Sequence, residues 1–135
     1  MNTDIKLNNK ISNINISKLK NYLYNDDNVL LAFIFGSFIS KRFSHKSDLD
    51  IAVLYEKPPA GFEILYEINK LSKIAGIEVH LAILNYGTPL LKHQVMKNKI
   101  NLVVKDENLF VKFRENVISG YDEYKYISGM NKYDR

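Results

Sequence analysis

The sequence predicts an α/β (α+β) fold: a small mixed β-sheet with helices packed mainly on one face. Three observations support it. Short bulky apolar runs of strand length recur along the chain, stretches with apolar residues at helical spacing separate them, and Gly, Pro, Asn or Asp stands at most junctions.

Ile16, Leu19 and Leu23 lie at helical spacing, and Asn25-Asp26-Asp27-Asn28 ends that first helix. Val29 to Phe35 is a continuous apolar run bounded by Asn28 and Gly36, which reads as a buried strand. A turn at Gly36-Ser37 and a short helical piece are expected next. Asp48 and Asp50 open a second strand that runs through Ile51 to Tyr55 and stops near Pro58-Pro59. Ile64, Ile68, Leu71 and Ala75 then trace one face of a helix closed by Gly76.

Alternation from Ile77 to Leu84 predicts a third strand, broken by Asn85-Tyr86-Gly87. Thr88 as cap and Pro89 in the first turn start a helix to about Lys97, with Asn98 expected in the left-handed conformation where it stops. Ile100 to Val104 reads as a short fourth strand. Phe110, Phe113, Val117, Tyr121 and Tyr124 recur at helical spacing in a last helix that Gly120 weakens.

Bulk properties narrow the classes. At 135 residues the chain is expected to form one domain, 1–135, with residues 1–14 a loosely ordered lead-in and 106–135 carrying the C-terminal helix. Hydrophobic content of 46% suits a globular core. A formal charge of +4 is too small to imply direct nucleic-acid binding. With no cysteine, disulfides and thiolate metal sites are excluded, which fits a reducing cytoplasm. No apolar run has membrane-spanning length, and the start of the chain lacks the apolar centre of a signal peptide.

The chemistry concentrates in Gly36-Ser37, then ten residues, then Asp48-Leu49-Asp50. Gly36 has no Cβ and Ser37 offers a hydroxyl and an amide, so the backbone there can approach a phosphate closely. The two-residue period of a strand puts Asp48 and Asp50 on one face, where their charges repel unless a proton or cation intervenes. Oxygen-only ligands at that spacing suit a hard ion such as Mg²⁺, with Mn²⁺ as an alternative, and a phosphate-bearing substrate would complete the coordination. Taken singly, Gly36 is an ordinary turn glycine and the aspartates are solvated strand-end acids; their order along the chain favours function.

These residues resemble the signature of the nucleotidyltransferase superfamily related to DNA polymerase beta. The chain is most similar to minimal nucleotidyltransferases (MNT), found as antitoxins beside HEPN-domain toxins. Leu84-Asn85, Pro89 to Val95 and Tyr121-Asp122-Glu123-Tyr124 look like later blocks of that family. The resemblance implies a polymerase beta-like fold, Mg²⁺ on Asp48 and Asp50, and ATP as substrate with its terminal phosphates held at Gly36 and Ser37. Lys46 and Ser47 are further phosphate-binding candidates, in a connection also carrying Lys41, Arg42 and His45. The implied reaction transfers AMP to a tyrosine hydroxyl of a HEPN-type toxin, in a homodimer or hetero-oligomer.

The family usually adds a third carboxylate on the following strand, and alignment on Leu84-Asn85 puts His80 there. Imidazole is a poor Mg²⁺ ligand but can act as a general base near neutral pH, and Glu78, two residues earlier on the same face, would substitute if the register shifted. Both have plainer readings, a half-buried histidine and a solvated acid. His93 reads as surface or packing. Tyr121, Tyr124, Tyr126 and Tyr133 read as core, or else as a partner surface or modification site. Two other functions fit the same residues: transfer to a small-molecule hydroxyl, or a catalytically weakened or inactive antitoxin acting by contact.

Overall fold

The computed structural model describes residues 15–36 and 48–128. The lead-in over 1–14, the short helical piece after Gly36 and the tail beyond 128 lie outside the described residues. Within them the chain runs α1 (Ile16–Asn25), β1 (Val29–Phe35), β2 (Leu49–Tyr55), α2 (Phe62–Ala75), β3 (Val79–Ile83), α3 (Pro89–Lys97), β4 (Lys99–Val104) and α4 (Glu107–Ser128). The short fourth strand is present. The four strands form one mixed sheet in the order β3-β2-β1-β4, antiparallel except for the β2/β3 pair.

Local chemistry sets the boundaries. The Asp26 carboxylate accepts from the Asn28 N–H at 2.9 Å, turning the chain from α1 into β1. Gly76 ends α2 with φ 76° and donates its N–H to the Ser72 carbonyl, so the expected glycine stop is made. Thr88 caps α3, its Oγ1 accepting from the Leu91 N–H at 3.1 Å, with Pro89 in the first turn. Asn98 departs from expectation: at φ −136° and ψ 90° it is extended rather than left-handed. The reason is that Lys99 already pairs with β1, so the chain passes directly from helix into strand.

The fold class matches the expectation, but the layering differs. Leu19 and Leu23 of α1 and Leu71 and Ala75 of α2 pack with Ala32, Ile34, Ile51 and Val53 on one face of the sheet. Val95 of α3 and Phe110 of α4 pack with Leu31, Phe33, Ala52 and Leu84 on the other. Two helices therefore cover each face, and helices mainly on one face is corrected accordingly. The central strands require this, because β1 carries buried side chains on both sides. Phe33 and Leu71 are fully buried, each worth about 1.5–3 kcal/mol relative to exposure.

Asn85 fixes the far end of β2. Its Oδ1 accepts from the Tyr55 N–H at 2.9 Å and its Nδ2 donates to the Tyr55 carbonyl at 2.7 Å, as a neighbouring strand residue would. Asn85→Ala would strand both backbone groups. It is expected to lower unfolding stability by about 2 kcal/mol, measured by urea denaturation. An unchanged midpoint would show that the clamp contributes nothing.

Candidate functional site

The site is built at one end of the sheet by strand register. Phe35, the last residue of β1, pairs laterally with Asp50 of β2, and Asp50 pairs with His80 of β3. Alternation along β2 sends Leu49, Ile51 and Val53 into the α1/α2 core and leaves Asp50 on the α3/α4 face. Among the described residues the helices do not seal this end, and the side chains of Asp48 and Asp50 stay 28% and 24% exposed and that of His80 63% exposed.

The three polar side chains converge. His80 Nε2 lies 2.8 Å from Asp48 Oδ2, and Nδ1 lies 3.5 Å from Asp50 Oδ1. The imidazole thus bridges the two carboxylates that the strand period forces together. Glu78 does not join them. It precedes β3, is exposed, and its carbonyl accepts from the Leu49 N–H at 3.0 Å, so the register sets His80 and not Glu78 beside Asp50.

Gly36 closes the fourth side. It has φ 83°, and a Cβ built on it would collide with the Asp50 carboxylate. Conformation and space independently require glycine there. Ser37, Lys46 and Ser47, with Lys41, Arg42 and His45, lie outside the described residues. His93 is not at the site: its ring stacks on Tyr121 at 3.8 Å between centroids, joining α3 to α4. Of the tyrosine stripe, Tyr121 and Tyr124 are half-buried and Tyr126 is exposed, while Tyr133 lies outside the described residues.

Electrostatics follow from this packing. Burial pushes the Asp50 carboxyl above the ordinary carboxylate range; His80 draws it back and Asp48 raises it further. Among the described residues, no group of three or more His, Cys, Asp or Glu side chains is arranged to hold a metal ion by itself. Two carboxylates on one edge suit Mg²⁺, which is commonly held by one or two carboxylates together with substrate phosphates and water. Lys99 extends the row on the other flank of β1, pairing laterally with Phe35. Nothing in the sequence signalled it, because it belongs to no motif and reaches the site only through the β1/β4 pairing.

Two outcomes test this geometry. Gly36→Ala is expected to cost at least about 1 kcal/mol in stability from the left-handed backbone alone, with the Asp50 carboxylate displaced as well; denaturant melting checks the first and Mn²⁺ titration the second. Asp50 keeps its proton to higher pH folded than unfolded, so the metal-free chain loses stability as pH rises through that interval. Asp50→Asn should therefore raise the melting temperature of the metal-free chain at neutral pH, with the gain shrinking towards acid. A lowered melting temperature at neutral pH would contradict the direction of the shift.

Sequence and structural comparisons place the fold. The family described as Polymerase beta, Nucleotidyltransferase matches residues 17–108. No curated protein sequence matches. Among solved structures, a chain of a toxin-antitoxin complex with AMP-PNP superposes with TM-score 0.73 at 24% identity, covering 89% of this chain and 94% of that one. A chain of the MntA-HepT toxin-antitoxin gives 0.72 at 23%, covering 89% and 95%. A chain from a tri-AMPylated Shewanella oneidensis HEPN toxin in complex with MNT antitoxin gives 0.69 at 22%, covering 88% and 97%. With more than half of its residues matched by the family, the chain belongs to the polymerase beta nucleotidyltransferases, and its fold is that of the MNT toxin-antitoxin structures.

Proposed function

We propose that this chain is a Mg²⁺-dependent adenylyltransferase that moves AMP from ATP to a tyrosine hydroxyl of a HEPN-type toxin and so acts as its antitoxin. The observation that carries the reading is the convergence of Asp48, Asp50 and His80 beside Gly36 at an open sheet end. Membership of the nucleotidyltransferase family supports the reaction type. The choice of nucleotide and acceptor draws on the likeness to structures described with AMP-PNP and with a tri-AMPylated HEPN toxin.

In this mechanism Asp48 and Asp50 would hold the ion, and Gly36 with Ser37 would let the triphosphate lie against the backbone. Bound Mg²⁺ would neutralise phosphate charge and polarise the α-phosphate. The acceptor oxygen forms a bond to the α-phosphorus as the bond to the pyrophosphate oxygen breaks. With the ion on Asp48 and Asp50, a His80 ring nitrogen released from those carboxylates would accept the proton of the acceptor hydroxyl. The residue is suited to that task because imidazole nitrogens can accept a proton, and its exposure leaves it accessible to an incoming side chain.

Incubation with labelled ATP, Mg²⁺ and the partner toxin should label the partner. Asp48→Asn with Asp50→Asn is expected to cut the rate by at least about 100-fold, and full labelling by that variant would sink the proposal. His80→Gln should slow turnover by about 100-fold while leaving MgATP affinity near that of the unaltered chain, measured by calorimetry. Tight toxin binding with no label transferred under any condition would favour an antitoxin acting by contact alone.

A further inference from the structure

Lys99 stands at the start of β4 in the same lateral row as His80, Asp50 and Phe35, and pairing carries its side chain to the α3/α4 face with Asp50. Two strand spacings separate Lys99 from Asp50, about 10 Å. Its Nζ sits 5.0 Å from the Phe33 ring centroid and 4.8 Å from that of Phe110, and donates to Asn101 Oδ1 at 2.6 Å. Arg114 of α4 reaches the same Phe110 ring, its Cζ 5.7 Å from the centroid. Two cations therefore lie against one aromatic ring. Burial lowers the affinity of Lys99 for its proton and the Arg114 charge lowers it further.

No carboxylate among the described residues pairs with either cation. Nor does the connection over 37–47 contain an acid: it carries Lys41, Arg42, His45 and Lys46. Ring faces and one amide oxygen compensate a half-buried ammonium incompletely, and the nearby guanidinium adds repulsion. An anion within reach of both would relieve both costs.

We propose that Lys99 and Arg114 bind the terminal phosphates of the nucleoside triphosphate, on the flank of β1 opposite the two aspartates. The assignment rests on the reading of Asp48, Asp50 and Gly36 as the nucleotide site. A triphosphate anchored at Asp48 and Asp50 and passing Gly36 would point its far end across β1 towards β4. Lys99 has a long flexible stem with which to leave the rings and meet it, and Arg114, exposed on α4, approaches from above.

Calorimetric titration of the full chain with MgATP, Mg-pyrophosphate and AMP separates the possibilities. Lys99→Gln with Arg114→Gln is expected to weaken MgATP and Mg-pyrophosphate binding by about 10- to 100-fold while changing AMP affinity little, and Lys99→Arg should retain most of the affinity. Arg114→Gln alone, an exposed change expected to fold, should weaken MgATP several-fold. Unchanged MgATP affinity in the Lys99 and Arg114 variants, with Mg²⁺ dependence lost in Asp48→Asn plus Asp50→Asn, would overturn this inference and leave the nucleotide site standing. An equal loss for AMP would overturn it too, since the pair would then act on the nucleoside or the fold. Undiminished Mg²⁺-dependent binding by the double aspartate variant, or no MgATP binding by the unaltered chain, would overturn both.

Discussion

Two carboxylates on one face of one strand, at the end of a sheet buried on both sides, form the constraint around which this molecule is arranged. Asp48 and Asp50 cannot separate without breaking the alternation that sends Leu49 and Ile51 into the opposite core. The repulsion between them is thus held in place by hydrophobic burial. The surroundings answer this constraint: Gly36 presents no side chain to Asp50, His80 spans both acids, and the described helices leave that end of the sheet open.

This explains why the site sits where three strands meet rather than within one loop. β1 delivers the turn, β2 the acids and β3 the imidazole, and their relative heights are set by backbone pairing instead of by flexible side chains. A group held by register is positioned by many hydrogen bonds at once, and positioning and charge neutralisation are what phosphoryl-group chemistry asks of a protein. The opposite end of β2 receives comparable attention from Asn85, which completes the backbone pairing of Tyr55. The strand is therefore fixed at both ends.

Much of this was legible in the residues. The period of Ile77 to Leu84 and the Asp-Leu-Asp spacing established which side chains share a face, and the family resemblance, aligned on Leu84-Asn85, put His80 beside the acids. The two-sided burial of β1 was written in its unbroken apolar run, yet that run identifies coverage without saying which helices supply it; the expectation of helices on one face failed there. Asn98 was misread because a local stop signal competed with the pairing of β4, which only the folded sheet reveals. Lys99 was invisible for the same reason. Its neighbours in space are far away in sequence, and no local spacing encodes them.

The β2/β3 pair is the parallel one, with α2 lying between its strands in the chain. Parallel neighbours cannot close through a tight hairpin, so the imidazole reaches the aspartates only after a long loop has been ordered. A nascent or partly folded chain that has made the β1/β2 pairing already juxtaposes the acids and Gly36, but still lacks His80. Under the proposed mechanism, ion capture and proton removal would mature at different times during folding, the second only with completion of the crossover. On that mechanism an emerging chain would gain a grip on nucleotide before it gained the means to spend it.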